Sequence, residues 1–134
     1  MIVSTKGRYA LRVMIDIAEH HTEERTPLKE IAERQDISQK YIESIMTMLS
    51  KNGMVDAVHG KGGGYKLNRK PEEYKVGELL RLTEGTLSPV ACLEKGAAEC
   101  PRKAECRTLG LWTKLDDLVE NYLDSVTLAD LMKK

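Results

Sequence analysis

A short helical pattern followed at once by a glycine-rich turn constrains the fold of this chain more than any other feature. Apolar side chains recur across residues 39–51 at the spacing of one helical face: Ile42, Ile45, Met46 and Leu49. Ser38 stands where an N-cap is needed, and Gly53 follows as a helix stop. The sequence therefore predicts a short amphipathic helix with one buried face and one polar face.

The polar face of this helix carries side chains that can hydrogen-bond with bases or phosphates. Helices that read base edges in DNA usually do so with polar residues near their N-terminus. We therefore predict a DNA-reading helix with these contact residues: Ser38, Gln39, Lys40, Tyr41, Glu43, Ser44 and Lys51. Glu43 allows three interpretations, because its carboxylate can accept from cytosine N4, repel phosphate and so select sites by exclusion, or face solvent.

Two runs of strand type flank residues 59–64, in which four of the six residues are glycine. This pattern predicts a β-hairpin with a thin tip. His59 and Lys61 stand on that tip, and a thin cationic tip can enter a minor groove or lie along phosphates. A reading helix followed directly by such a hairpin is typical of a winged helix.

Two further helices are predicted before the reading helix. The first spans about residues 6–21 and begins with Arg8, which either contacts phosphate or lies at the solvated end of a core helix. In the second, Thr26 is the expected N-cap and Pro27 the first helical residue. The second helix and the reading helix have the spacing of a helix-turn-helix.

The C-terminal third contains a second long helical pattern. A short helix closed by Gly85 comes first, and a longer helix is predicted over residues 104–125. The apolar band of the longer helix is broad: Leu111, Leu115, Leu118 and Tyr122, widened by Trp112, Val119, Leu123 and Val126. Such a band needs two covering surfaces, so we expect its own domain on one side and a second subunit on the other, against the alternative of one buried helix. Thr127 should cap a last short helix with Asp130, which Leu128, Leu131 and Met132 would dock.

Composition limits the function classes without choosing one. The formal net charge is zero, although residues 1–70 carry +3 and residues 71–134 carry −3, which weakly favours a DNA-facing N-terminal half. No apolar run reaches membrane-spanning length, and the N-terminus lacks the features of a signal peptide. We therefore expect a cytoplasmic protein that has no membrane partner.

All three cysteines lie within one glycine- and proline-containing segment, as Cys92, Cys100 and Cys106. Thiolates bind iron–sulfur clusters and zinc, but the spacing is not that of a zinc ribbon. In a reducing compartment a structural disulfide framework is not expected. The segment is therefore a candidate metal or thiol sensor, and the alternative is three incidental thiols.

Four stretches of the sequence resemble the signature of the Rrf2 family of bacterial transcription regulators. They are KNGMV at residues 51–55, GKGGGY at 60–65, STKGRYAL at 4–11 and VGE at 76–78. The similarity extends over nearly the whole chain. It implies a homodimer that binds a pseudo-palindromic site in double-stranded DNA and is not an enzyme. Members of the family sense iron–sulfur clusters, nitric oxide or cysteine metabolism.

The resemblance also assigns the cysteines. Members that bind a cluster carry three cysteines here, so Cys92, Cys100 and Cys106 are implied ligands of a two-iron or four-iron cluster. Seven residues separate the first two cysteines in this chain, where five are more common in the family. The family's fourth ligand is replaced at both known positions, by Leu109 and by Arg8. That ligand is therefore open, with Glu99, Glu105 or a group from the partner subunit as candidates.

The expected architecture is mainly α with a small β-hairpin, a winged helix-turn-helix plus a long dimerisation helix. Residues 1–85 would bind DNA, 86–106 would form the sensor loop and 107–134 would form the dimerisation helix and a last short helix. The leading function is a homodimeric regulator that senses iron–sulfur or redox status. The alternatives are a thiol sensor without metal, a regulator acting through partner proteins, and a small redox enzyme or carrier.

Overall fold

The computed structural model describes residues 3–20, 25–60 and 63–133. Within these ranges, six α-helices and one antiparallel hairpin follow in chain order: α1 Thr5–His20, α2 Leu28–Gln35, α3 Gln39–Lys51, β1 Val55–Val58, β2 Gly64–Leu67, α4 Val76–Glu84, α5 Leu109–Ser125 and α6 Leu128–Leu131. Short 3-10 turns occupy Pro71–Glu73, Ala91–Leu93 and Lys103–Glu105. The expected mainly helical fold with a small hairpin is confirmed.

One apolar core joins the first three helices to the hairpin and α4. Its buried members come from all of these elements: Ala10, Val13, Met14, Ile17, Ile31, Ile42, Ile45, Met46, Leu49, Val55 and Leu79. The four apolar residues that predicted α3 are all fully buried. Leu128 of α6 enters the same core from the C-terminal end of the chain. The polar face of α3 is thereby turned outward.

The hairpin is tied to the start of α2. Val55 pairs with Leu67 and Val58 with Gly64 along the β1–β2 ladder. Thr26 also exchanges two backbone hydrogen bonds with Tyr65, with N···O distances of 2.8 and 3.0 Å. The prediction of Thr26 as an N-cap is therefore wrong: α2 is preceded by Pro27, and Thr26 is extended and bridged to β2.

Helix α5 packs on α4 through a second, smaller apolar cluster. Val76, Leu80 and Leu87 are its buried members, and Val119, Leu123 and Val126 contribute from α5 and its C-terminal end. Arg81 of α4 makes ion pairs with Glu120 and Asp124 beside this cluster, with Arg81 Nη1 2.9 Å from Asp124 Oδ1. These ion pairs raise the pKa of Arg81 and lower that of Asp124.

The start of α5 lies later than predicted. Helix α5 begins at Leu109, whereas the periodicity placed its start near residue 104. Residues 103–105 instead close a 3-10 turn, in which Glu105 N donates to Arg102 O at 3.0 Å. Cys106 then has extended backbone angles, which interrupt the helical path.

The other face of α5 has no covering in the described chain. Leu111 is 60% exposed, Leu118 58% and Tyr122 68%. The alternative of a single buried helix is therefore wrong. None of the helices of the described chain is long and apolar enough to cross a membrane.

The last helix confirms its predicted cap. Thr127 Oγ1 accepts from Asp130 N, and Asp130 Oδ2 accepts from Thr127 N at 2.8 Å. Leu128 is fully buried as expected. Leu131 was also expected to dock the helix, but it is 42% exposed, because a single helical turn buries only its core-facing side.

Candidate nucleic-acid interface and cysteine pocket

The N-terminus of α3 has the predicted cap. Ser38 Oγ accepts a hydrogen bond from Tyr41 N at 3.2 Å, which satisfies one of the free N–H groups of the first turn. At the other end Gly53 adopts a left-handed φ of 73°, which ends the helix. Both ends of the reading helix are therefore determined by residues that the sequence identified.

The predicted DNA-contact residues remain accessible wherever the structure describes them. These are exposed: Arg8, Ser38, Gln39, Lys40, Tyr41, Glu43, Ser44, Lys51 and His59. Lys61 lies outside the described residues. Lys40, Glu43 and Ser44 share one side of α3, three and four residues apart. Lys51 is at the opposite end of the helix, about 16 Å from Lys40 along its axis.

Arg8 lies in the first turns of α1, and its Nη2 donates to Thr5 Oγ1 at 3.1 Å. The guanidinium remains on the surface and carries a charge that phosphate could pair with. The same position fits both a phosphate contact and a solvated helix end, so both interpretations stand.

A buried carboxylate holds α1 against the end of α2. Asp16 is 1% exposed, and Arg34 donates to it from Nε and Nη2, with Nη2 2.7 Å from Asp16 Oδ1. Gln35 Nε2 donates to Asp16 Oδ2 at 2.8 Å. The hydrogen bonds to Asp16 raise the pKa of Arg34. This site was not predicted from the sequence, although an acid inside the apolar face of a helix signals a paired group.

Two aromatic rings meet between α1 and α3. The ring centroids of Tyr9 and Tyr41 are 5.6 Å apart, with an interplanar angle of 72°. The Arg12 guanidinium carbon lies 5.1 Å from the centroid of the Tyr9 ring. Neither Tyr9 nor Arg12 was predicted to have a role at the site. Their only local signal is that Tyr9, Arg12 and Asp16 are three and four residues apart on α1.

The base of the hairpin is fixed by one buried tyrosine. The Tyr74 hydroxyl donates to Met54 O at 2.8 Å and accepts from Asn68 N at 3.0 Å. Asn68 Nδ2 donates to Gly53 O at 2.9 Å. Burial raises the pKa of the Tyr74 hydroxyl. Because Leu128 N donates to Tyr74 O at 2.9 Å, the same residue also joins the hairpin to α6.

The three cysteines line one pocket next to the start of α5. The pocket measures about 290 Å³, and Glu99, Lys103 and Leu109 are among its other lining residues. All three thiols are free and exposed. Within the described residues, no group of three or more potential ligands is close enough together to hold a metal ion.

Cys106 has a distinct environment within the pocket. Its Sγ lies 3.6 Å from Thr108 Oγ1, and hydrogen bonding with Thr108 lowers the pKa of the thiol. A lower pKa increases the thiolate fraction, which is the form that ligates metals and reacts with electrophiles.

The donor set fits an iron–sulfur cluster in kind, because three soft thiols face one cavity. The segment would have to close for all three to bind one group. Of the two acidic candidates for a fourth ligand, Glu99 lines the pocket and Glu105 is not among its lining residues. Leu109 also lines the pocket, at the position where the family resemblance places a histidine.

Comparison with known proteins identifies the family of the chain. A family model described as "Rrf2: Iron-dependent Transcriptional regulator" matches residues 3–134. The HTH-type transcriptional regulator CymR of Bacillus subtilis is 41% identical over 131 residues, which cover 98% of this chain and 89% of the relative. The HTH-type transcriptional regulator IscR of Aliivibrio salmonicida is 38% identical over 132 residues, covering 98% of this chain and 77% of the relative.

Solved structures lead to the same conclusion. The structure of CymR, the global cysteine regulator of B. subtilis, has a TM-score of 0.78 and 40% identity, covering 98% of this chain and 95% of that one. The structure of IscR from T. potens has a TM-score of 0.73 and 37% identity, covering 98% and 85%. These matches confirm the predicted fold class and make the protein a transcriptional regulator rather than an enzyme. The chain therefore belongs to the Rrf2 family of transcriptional regulators.

Proposed function

We propose that this regulator acts as a homodimer that reads double-stranded DNA with the polar face of α3 and responds to its environment through Cys92, Cys100 and Cys106. One observation supports DNA reading above all. The capped N-terminus of α3 presents Lys40, Tyr41 and neighbouring polar side chains to solvent, while its apolar face is fully buried. Relatives described as HTH-type transcriptional regulators support the same function.

DNA binding is tested through its salt dependence. Lys40→Ala removes a cation from the reading helix, and Lys61→Ala removes one from the predicted tip of the hairpin. Each change should weaken binding to duplexes of any sequence and reduce the slope of log affinity against log salt by about one unit for each phosphate that is no longer neutralised. Lys95→Ala is the matched control and should leave the slope unchanged. Lys95 lies on the cysteine segment, which is the part of the chain between α4 and α5 that carries the three cysteines. Unchanged slopes in both test variants would contradict the assigned interface.

The proposed dimer surface is the stripe Leu111, Leu115, Leu118 and Tyr122 on α5. Apolar side chains so exposed on one helical face favour burial against another surface, and a two-fold axis would let each stripe cover the other. A pseudo-palindromic operator would then present two half-sites about 34 Å apart to the two reading helices.

The dimer is tested with two charge substitutions on the same helix. Leu118→Glu places a carboxylate in the stripe, and because Leu118 is 58% exposed, the fold of one protomer does not depend on it. We expect monomers by light scattering. Thr113→Glu adds the same charge on the side of α5 away from the stripe, where it should leave the dimer intact. A dimeric Leu118→Glu variant would remove the stripe from the interface.

The proposed sensor ligates an iron–sulfur cluster through the three cysteines. When bound, such a cluster supplies a redox-active and oxygen-sensitive group, and the protein's part is to draw residues 92–106 closed around it. This reordering begins directly beside α5, so under this proposal it shifts α5 and changes the spacing of the two reading helices. The fourth ligand is outside the family's usual choices, since Leu109 and Arg8 occupy those positions.

Cluster binding is tested by iron and sulfide content after anaerobic reconstitution. We expect full loading of the wild type and strongly reduced loading of each Cys→Ala variant. Glu99→Gln and Glu105→Gln form a matched pair for the fourth ligand: reduced iron with the first alone would assign Glu99, which lines the pocket. Substoichiometric iron in the wild type, or full iron in all three cysteine variants, would reject the cluster.

A thiol sensor without metal is the second candidate. It is favoured by the exposure of all three free thiols and by the hydrogen bond between Cys106 and Thr108. Under this function, metal-free protein should change its affinity for DNA between reduced and oxidised forms. Cys106→Ala should abolish that change. A cluster sensor would instead lose its response when the iron is removed.

A further inference from the structure

We propose that Tyr9 of α1 is a positioning residue for DNA readout, holding the Tyr41 ring in the orientation in which it meets the bases. This inference rests on the proposed function, in which Tyr41 contacts DNA. It adds a residue outside the helix-turn-helix to the determinants of sequence specificity.

The contact geometry supports a positioning role. Tyr41 lies in the first turn of α3 and is 37% exposed, so its ring is accessible to DNA. The Tyr9 and Tyr41 centroids are 5.6 Å apart at 72°, an edge-to-face arrangement that aromatic quadrupoles favour. Tyr9 itself is partly buried and packs against the core. A ring anchored in the core therefore restrains one that faces solvent.

Arg12 fixes Tyr9 in turn. Its guanidinium lies over the Tyr9 ring, where a cation is attracted to the π-face. Arg12 Nε donates to Gln35 Oε1 at 3.2 Å, and Arg12 also donates to the Gln35 carbonyl oxygen. Gln35 is held by the buried Asp16. The position of the Tyr9 ring is thereby linked to the turn that precedes α3, in which Asp36 has a left-handed φ of 53°.

This linkage has a specific energetic consequence. A surface tyrosine free in solution samples several rotamers, and binding must select one of them. A ring already held by Tyr9 loses less freedom on binding. The oriented Tyr41 ring makes its base contacts only on the preferred sequence. Removal of Tyr9 should therefore reduce specific binding more than non-specific binding.

Two other roles for Tyr9 make different predictions. As a core-filling side chain alone, Tyr9 would affect thermal stability and leave site preference unchanged. As a phosphate contact, it would weaken specific and non-specific binding equally, and its removal would alter affinity for every duplex.

The experiment uses the full-length regulator and a pool of random-sequence DNA duplexes. The wild type selects its preferred duplex from this pool, and each variant is then measured on that duplex and on a non-specific one. Tyr9→Leu should lower the ratio of specific to non-specific affinity by about 3- to 10-fold, as expected for removal of one aromatic pair. Tyr9→Phe keeps the ring and should retain the ratio. Leu11→Ala truncates a neighbouring, partly buried residue of α1 and controls for a general decrease in stability.

A double variant separates positioning from an independent contact. If Tyr9 acts through Tyr41, Tyr9→Leu should have no further effect on the ratio in a Tyr41→Ala background. If Tyr9→Leu does not fold, Arg12→Leu serves as a second variant and should lower the ratio in the same direction.

The results of these experiments distinguish failure of the positioning role of Tyr9 from failure of the proposed DNA reading by Tyr41. If Tyr41→Ala leaves the selected sequence unchanged, the proposed reading role of Tyr41 fails and the positioning role fails with it. If Tyr41→Ala changes the selection while Tyr9→Leu and Arg12→Leu both keep the wild-type ratio, DNA reading stands and the positioning role is overturned. Equal weakening of specific and non-specific binding by Tyr9→Leu would also overturn it, in favour of a phosphate contact.

Discussion

The reading domain and the cysteine segment differ in how they are held in place. In the reading domain, α1 to α4 share one buried core, and polar ties such as Asp16 with Arg34 join elements distant in sequence. In the cysteine segment, residues 94–108 are all exposed, and the backbone bonds there close turns between residues three apart. The first region can present side chains in one fixed geometry. The second can reorder at little cost to the fold.

This difference suits the proposed function, in which the DNA-reading helices and the sensor would have separate requirements. Base recognition needs rigid side chains. The contacts of Asp16 and Tyr9 supply rigidity from α1, and the hydrogen bonds of Tyr74 supply it from the turn that precedes α4. A sensor must adopt two arrangements of similar free energy, and a segment without its own core can do so. Helix α5 connects the two regions, since one of its faces packs on α4 and its first residue, Leu109, lines the cysteine pocket.

The largest expected difference in stability is between truncation of a buried side chain and truncation of an exposed one. Ile45→Ala removes a fully buried side chain from the core and should lower the free energy of unfolding by about 2–5 kcal/mol. Leu111→Ala, on the exposed stripe, should cost less than about 0.5 kcal/mol within a protomer. Urea denaturation at several protein concentrations separates the two, because a weakened interface depends on concentration. If both variants lowered the free energy of unfolding equally at every protein concentration, the exposed side of α5 would be as much a part of the protomer core as α3.

The second comparison uses two glycines. A Cβ at Gly64 would overlap the Thr26 carbonyl oxygen, which belongs to the backbone and cannot move away easily. Gly64→Ala should therefore cost about 1–3 kcal/mol by separating β2 from Thr26. Among the described residues, no group outside its own helical turn lies within 4 Å of a Cβ added at Gly110, so Gly110→Ala should be neutral or slightly stabilising in α5. Thermal denaturation measures the stability of both variants. An unchanged stability in Gly64→Ala would show that the backbone at Thr26 can move away from β2 without loss of stability.

The sequence predicted the parts of this molecule in which local pattern and burial agree. The buried face of α3, its Ser38 cap and the exposure of its polar side chains all follow from periodicity and capping chemistry. The prediction failed at Thr26, because its bridge to Tyr65 joins residues far apart in the chain. The Tyr9–Tyr41 contact was missed for the same reason, since the relative orientation of two helices has no local signature.

The third prediction concerns the ion pair that joins α4 to α5. Arg81 lowers the pKa of Asp124, so the stabilisation is complete above the unfolded-state pKa of about 3.9 and is lost as pH falls through the lower folded-state pKa. Both side chains are more than a third exposed, which limits the contribution to below about 1 kcal/mol. Arg81→Met should reduce stability at pH 7 and weaken its decline below pH 4, in urea titrations at each pH. Arg102→Met, on the exposed segment, should match the wild type, and an unchanged acid decline in Arg81→Met would contradict the assigned pairing.

The smallest expected effect is at Cys100. Its side chain is exposed and free in the cysteine pocket, so truncation removes neither packed apolar area nor a buried hydrogen bond. In reduced, metal-free protein, Cys100→Ala should change the free energy of unfolding by less than about 0.5 kcal/mol. Ile45→Ala in the same buffer provides the scale. If Cys100→Ala lowered the free energy of unfolding by more than about 1 kcal/mol, the segment would be packed in solution. A dependence of that decrease on protein concentration would mean that the partner subunit covers the segment, and no dependence would mean that the same protomer does. A small decrease, together with complete absence of iron from the same variant after reconstitution, would assign Cys100 to sensing alone, because a ligand acts only when the cluster is present whereas a core residue acts in every state.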